Sequence, residues 1–313
     1  MGSPDYALPT LRRLIESDHE VVGVVTQPDR PAGRGRALRP PPAKELALAD
    51  GLPVLQPERV NAPEVLDVLR AESPDAIVIA AYGQILRQPL LDLPKRGALN
   101  VHASLLPSYR GAAPVTGALV AGEDSTGVTI IEVVLALDAG PILAQRPLRI
   151  EDHDTAGTLV EKLAVVGADL LMEVLPAWER EELTARPQED ARASYAPSIR
   201  REDALIDWAL PAADVWRRVR AYNPWPVATT TLDREQLRVL EAWPLEGEPD
   251  ELPGTVLVLP HGVSAPAGAG FAVRCGRGLL AVVRAQRAGR RALGGEELLN
   301  GFRGLIGRRL GAR

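Results

Sequence analysis

The sequence predicts an α/β domain built on an open, mostly parallel sheet, followed by a small antiparallel β-barrel. Three observations lead there. Over about 180 residues, short β-branched apolar runs alternate with segments of helical periodicity, the pattern of strands joined by crossover helices. A polar stretch without periodicity, Glu179 to Arg201, then interrupts the pattern. Beyond it the texture changes to short strands separated by Pro and Gly, the mark of a small barrel.

The elements follow in order. Tyr6 to Ser17 reads as a helix with Leu8, Leu11, Leu14 and Ile15 on one face. Glu20 to Thr26 is a continuous apolar run, as expected of a buried parallel strand. Gln27 to Lys44 holds five prolines, two glycines and five basic residues, and reads as a long irregular loop. Ala43 to Asp50 and Pro63 to Ala71 are helical; Leu52 to Leu55, Asp75 to Ala81 and Gly97 to His102 are strands. Val128 to Val134 and Pro141 to Ile150 form a strand pair around the loop 135–140. Asp154 to Trp178 is a long helix with Leu159, Leu163, Val166, Leu170, Leu171 and Val174 at helical spacing. Ala212 to Ala221 is a helix. Val227–Leu232, Gln236–Ala242, Gly254–Val258, Gly270–Arg274 and Leu279–Arg284 are the barrel strands, and Gly295 to Asn300 is a closing helix. The expected division is residues 1–182, a linker over 183–200, and a second domain over 201–313.

Composition narrows the class. The 313 residues, 46% apolar and 25% charged, suffice for two globular domains. No apolar run reaches the length of a membrane span, and the N-terminus does not read as a signal peptide. The single cysteine, Cys275, excludes an internal disulfide framework and fits a cytoplasmic protein. The four histidines show no metal-ligand spacing, so no metal is expected. Charge is uneven: residues 1–199 carry 19 basic and 28 acidic side chains, whereas residues 200–313 carry 17 and 13. A positive second domain suits an anionic partner.

The chemistry concentrates between Leu99 and Leu143. Asn100 and His102 stand two apart at a strand end and so emerge on one face. An amide donor beside an imidazole suits a carbonyl oxygen that gains negative charge, and the imidazole can carry a proton. Asp138, in the tight loop Leu137-Asp138-Ala139-Gly140, is placed to orient the ring or a water and to favour imidazolium. No Ser or Cys nucleophile stands in an elbow motif, and no phosphate-binding glycine motif follows a strand. Singly, each residue also fits a structural part: a satisfied half-buried His, a strand-end cap, a turn Asp. Together, at strand ends of one domain, they mark a site.

The motifs in that stretch are ordered and specific. Asn100-Val101-His102, Ser104-Leu105-Leu106-Pro107, Arg110-Gly111-Ala112-Ala113-Pro114, Thr126-Gly127-Val128-Thr129 and Leu137-Asp138-Ala139-Gly140 resemble the 10-formyltetrahydrofolate-dependent formyltransferase family. The resemblance implies a Rossmann-like sheet of formyltransferase type and 10-formyltetrahydrofolate as co-substrate. It implies Asn100, His102 and Asp138 as the catalytic trio. Ser104, Leu105, Leu106, Pro107, Tyr82 and Gly83 would border the folate. The chain runs past the length at which the glycinamide ribonucleotide branch would end. The Gln27–Arg36 segment, with Ile206-Asp207-Trp208 and Asn223-Pro224-Trp225-Pro226, is similar to the branch that formylates initiator methionyl-tRNA. That branch implies an OB-type barrel, a monomer, and the tRNA acceptor stem as partner. Arg30, Arg34, Arg36, Arg39 and Lys44 in the first domain, and Arg287, Arg290 and Arg291 in the second, are then the expected tRNA contacts. A formyltransferase of amino-sugar nucleotides and a non-catalytic RNA-binding protein are the competing readings. One departure stands out: the family opens on a buried strand leading into Gly-Thr/Ser-Pro, whereas here Met1 is followed at once by Gly2-Ser3-Pro4. The resemblance therefore predicts a sheet that lacks its first, central strand, a truncated start, and a weakened fold.

Overall fold

The computed structural model describes residues 1–32, 37–260 and 262–311. The chain divides into two compact units. Unit 1 comprises Met1–Val115, Asp124–Ile150 and Thr158–Pro197; unit 2 comprises Thr116–Glu123, Glu151–Gly157 and Ser198–Arg313.

The first half of the chain runs α1 (Ala7–Ile15), β1 (Val24–Val25), β2 (Arg30–Ala32), β3 (Ala37–Arg39), α2 (Pro42–Ala49), β4 (Val54–Leu55), α3 (Pro63–Ala71), β5 (Ile77–Ile79), α4 (Gln88–Leu91), β6 (Ala98–His102) and β7 (Arg110–Gly111). Then follow α5 (Pro114–Ala121), β8 (Ser125–Glu132), β9 (Ile142–Arg149), α6 (Ala156–Glu179) and β10 (Tyr195–Ala196). Helices α2, α3 and α4 each carry Pro in the first turn, where its missing N–H costs nothing.

The sheet of unit 1 is mixed rather than mostly parallel. Strands run in the order β5-β6-β8-β9; β5 and β6 are parallel, while β8 is antiparallel to both β6 and β9. The short 133–141 connection between β8 and β9 allows only an antiparallel pair. A separate parallel pair joins β1 to β4. Between β1 and β5 stand Met1 and Gly2: the Gly2 N–H donates to Val25 O at 3.0 Å, and the Ala80 N–H to Met1 O at 2.9 Å. An added Cβ on Gly2 would lie 2.6 Å from both Ala7 Cβ and Ala80 O, so glycine alone fits there. Below these two residues is a cavity of about 280 Å³ lined by Val21, Val22, Val24, Ala76, Val78 and Leu11, among others. Helix α6 covers one face of the sheet. Its Gly167 permits the close approach, since a Cβ there would lie 2.6 Å from Val101 Cγ1.

The stretch expected as an irregular loop contains two short strands and the start of α2. β2 and β3 form an antiparallel hairpin with Pro31 opposite Leu38, a pairing open to Pro because a two-stranded ribbon has free edges.

Unit 2 runs α7 (Ala212–Ala221), β11 (Thr229–Leu232), β12 (Glu235–Leu245), β13 (Val256–Leu257), β14 (Phe271–Arg274), β15 (Leu279–Arg287), β16 (Ala292–Gly294) and α8 (Gly295–Gly301). Its antiparallel sheet has the order β11-β12-β15-β14-β13, with β16 on β15. Register shifts around Glu241 let the long β12 curl. Segment 308–311 hydrogen-bonds to Val256 and Gly254 on one side and to Thr231 on the other, tying β13 towards β11. Phe271, Leu280 and Val282 pack with Trp208, Val215 and Val219 in the core.

Candidate active site

Strand alternation places the first two residues. Leu99 and Val101 turn to the core, at 0% and 2% exposure, so Asn100 and His102 share the opposite face. β6 holds them firmly, with Asn100 in register with Ile79 of β5 and Ile131 of β8, and His102 with Thr129.

Asp138 reaches the same face from the 133–141 loop. Its Oδ1 lies 3.4 Å from Asn100 Nδ2 and its Oδ2 3.7 Å from His102 Nδ1. The Gly111 N–H donates to Oδ2 at 2.8 Å. Asp138 adopts φ +49°, a left-handed conformation uncommon for a residue with a side chain. Residues up to 38 positions apart in sequence are thus one cluster.

The tautomer of His102 follows from its partners. Nε2 is 3.1 Å from Tyr109 O, which can only accept, so Nε2 carries a proton. Nδ1 faces Asp138. Burial pushes the pKa of His102 below its ordinary 6.5, while the Asp138 carboxylate and the Tyr109 carbonyl act in the other direction. The resting ring at neutral pH is therefore neutral, unlike the imidazolium expected from sequence. Burial outweighs the carboxylate.

The 104–107 turn is stitched from within. Ser104 Oγ donates to Ser108 O at 2.6 Å, and Thr129 Oγ1 donates to Ser104 O at 2.6 Å and accepts from the Leu106 N–H at 3.0 Å. Gln145 Nε2 donates to Leu106 O at 2.8 Å. Ser104 and Leu106 are buried, so they shape the turn, whereas Leu105 and Pro107 are half-buried. Tyr82 is buried beyond β5; its hydroxyl has no hydrogen-bond partner among the described residues, and burial raises its pKa to about 12. Gly83, at φ +88°, turns the chain outward there. Ile85, Val134, Leu135 and Leu137 are exposed on the 82–87 and 133–139 loops, and Leu86 and Val133 of the same loops pack on one buried cluster.

The basic residues fall in two places. In unit 1, Arg30 is exposed and lies 3.1 Å from Glu58, Arg39 is exposed on β3, and Lys44 is paired with Asp29 at 2.8 Å. Arg34 and Arg36 lie outside the described residues. In unit 2, Arg287, Arg290 and Arg291 cluster at the β15–β16 turn, where Arg287 meets Glu235 at 2.6 Å and Arg291 meets Glu297. Arg287 also lies over the Phe302 ring, 5.1 Å from its centroid.

Two side chains beside the cluster have no role in the sequence reading, which omits Gln188 and names Arg110 only within the Arg110–Pro114 motif. Gln188 donates to the carbonyls of Asp138 and Gly140, and Arg110, only 3% exposed, donates to Gln188. Gln188 sits in an aperiodic polar stretch with no motif to mark it. Among the described residues no three His, Cys, Asp or Glu side chains group as metal ligands, and no helix is long and apolar enough to cross a membrane.

Comparison with known proteins gives the context. Residues 1–175 match the family described as formyl transferase, and residues 198–303 match the formyl transferase C-terminal domain. A methionyl-tRNA formyltransferase of Methylococcus capsulatus is 44% identical over 310 residues, 99% of this chain and 98% of that protein. One from Chloroflexus aurantiacus is 45% identical over 302 residues, 96% of this chain and 95% of its own length. Among solved structures, an N-formyltransferase of Helicobacter canadensis in complex with folinic acid and dTDP-3-aminofucose aligns with a TM-score of 0.62 at 14% identity. The match covers 91% of this chain and 97% of that one, a likeness of fold alone.

Proposed function

The chain belongs to the formyl transferase family, among the methionyl-tRNA formyltransferases, and from that premise we propose how its residues divide the work. The reaction moves the formyl group of 10-formyltetrahydrofolate onto the α-amino group of methionyl initiator tRNA. The amine is the nucleophile, so the site needs no Ser or Cys.

The observation that carries the catalytic assignment is Asp138 within 3.4 Å of Asn100 and 3.7 Å of His102 on one sheet face. Attack forms a C–N bond and places negative charge on the formyl oxygen. Asn100 donates to that oxygen. His102, neutral at rest, takes the amine's proton at Nδ1, and Asp138 stabilises the imidazolium so formed. The proton then passes to the folate nitrogen as its bond to the formyl carbon breaks. The exposed apolar side chains Ile85, Val134, Leu135 and Leu137 suit a flat aromatic co-substrate, with Tyr82, Gly83 and the Ser104–Pro107 turn (Leu105 and Leu106 within it) bordering it.

For the tRNA acceptor stem we assign Arg30, Arg34, Arg36, Arg39 and Lys44 in the catalytic domain and Arg287, Arg290 and Arg291 in the second. Residues 1–182 would be the catalytic domain, 183–200 the connection and 201–313 the tRNA-binding domain. The tie of segment 308–311 to both edges of the unit 2 sheet supports reading it as an OB-type barrel. The cavity between β1 and β5 supports reading that space as a seat for one more parallel strand.

The test supplies labelled formyl donor with charged initiator tRNA, uncharged tRNA, or an amino-sugar nucleotide. Label is expected on the charged tRNA only. Label on the sugar, or on none of the three, would overturn the reading.

A further inference from the structure

We propose that Gln188 is a positioning residue for formyl transfer: oriented by the buried Arg110, it clamps the backbone of the Asp138 loop and thereby fixes the carboxylate between Asn100 and His102. The inference rests on the reading of Asp138 given above.

Both amide protons of Gln188 are used. Nε2 donates to Asp138 O at 2.8 Å and to Gly140 O at 2.7 Å, so one side chain grips the loop at two points. The amide is locked in this sense. Its Oε1 accepts from Arg110 Nε at 3.1 Å and from Nη2 at 2.8 Å, and Nη2 also donates to Asp190 at 2.8 Å. A flipped amide would turn its oxygen to two carbonyls and its protons to two guanidinium donors. The loop needs such a clamp. Leu135 and Leu137 are 60% and 59% exposed, so packing holds it little, and Asp138 keeps its left-handed φ of +49°.

The same stretch is anchored on both sides of Gln188. Arg186 exchanges two 2.8 Å backbone hydrogen bonds with Ile142, the first residue after the loop in β9. Further on, β10 pairs with β7, whose Gly111 N–H donates to Asp138 Oδ2. Residues 186–196 therefore run as a strap beside the catalytic loop, tied by main chain to β9 and β7 and by the Gln188 side chain to the loop itself.

Gln188→Glu retains size and the acceptor for Arg110 but replaces both donors with an oxygen. We expect kcat to fall about 10- to 100-fold, the scale of a misplaced catalytic group. KM for both substrates should stay within about twofold, and the thermal midpoint should be nearly unchanged, because the clamp holds a loop rather than the core. Gln188→Ala should behave alike. In an Asp138→Ala background, Gln188→Glu should cost nothing further, because it acts through Asp138. An equal loss in that background, or an unchanged kcat in the single variant, would overturn the proposal. An unchanged kcat in Asp138→Ala alone would instead overturn the reading of Asp138 beneath it, which is a separate result.

Discussion

Asn100 offers a side-chain amide on the face it shares with His102 and Asp138, and the role proposed for it predicts its cost. Removing one oxyanion donor typically lowers the rate by about 10²–10³. Asn100→Ala should therefore lose that order in kcat while its circular dichroism and thermal midpoint stay near those of the unaltered chain. His102 yields a prediction in pH. Asp138 is the charge that opposes the burial shift of this ring. Asp138→Asn removes it, so the imidazole should titrate at lower pH, read directly as a downward displacement of its NMR titration. The same burial affects stability. Below the ordinary 6.5 an unfolded chain binds a proton that the buried ring does not, so stability falls as pH drops from 6.5 towards the folded value. At this scale much was legible. Alternation along a strand puts Asn100 and His102 on one face, and the tight turn Leu137-Asp138-Ala139-Gly140 marks Asp138. Gln188 was not, because its two partners lie 48 and 50 positions away and depend on how an aperiodic stretch folds back.

Between strands, small pairings do the positioning. β7 and β10 are only two residues long, yet their pairing holds the Gly111 N–H against Asp138. A Cβ on Gly111 would lie 2.7 Å from Ala196 O, and φ there is +116°. Gly111→Ala should separate the two strands, lower kcat at least about tenfold through the displaced carboxylate, and reduce the thermal midpoint. A kcat equal to that of the unaltered enzyme would show that the pair is dispensable. The β15–β16 turn predicts a different kind of effect. On duplex nucleic acid, each phosphate that a cation neutralises adds about 0.9 to the steepness of the salt dependence. Arg287 and Arg291 already face Glu235 and Glu297, so replacing both and Arg290 with Gln should lower the slope by about one to two rather than three, with a raised KM for tRNA. Helices Pro63–Ala71 and Ala212–Ala221 were legible to the residue because periodicity and terminal Pro agree there. The β2–β3 hairpin was not, since its Pro-rich strands pair only with each other and show no alternation.

For the chain as a whole, the alternation of strands and helices announced the α/β half, and the change of texture near residue 200 announced the second unit, which begins its main segment at Ser198. The direction of the strands was less legible, because apolar runs such as those of β6 and β8 look alike whichever way they run. Unit 1 also carries a cavity beside its N-terminal backbone. The 280 Å³ cavity lies between the Val21–Val24 stretch and Asp75–Val78, with Gly2 at its rim bonded to Val25 and bridged to Ala80; on the reading proposed above, this is the seat of one strand. Thr10 Oγ1, in the cavity lining, and Tyr6 Oη are buried without hydrogen-bond partners among the described residues. Five or six β-branched apolar residues placed ahead of Met1 would run through this space parallel to β1 and β5, and their backbone would pair on both sides. Filling a cavity of this size with apolar side chains gains a few kcal/mol beyond the cost of ordering the segment, and in a protein this large each kcal/mol moves the midpoint by roughly 2–4 °C. The thermal midpoint should thus rise by about 5 °C or more. Hydrogen exchange at Gly23 and Val78 should slow with it, because a strand pairing on both sides would protect these amides, which stand on the gap side of β1 and β5. A polar extension of equal length should do neither, since it would leave its side chains unsatisfied among Leu11, Val22 and Val78. An apolar extension that left both readings where they were would mean that the space is not the seat of a strand.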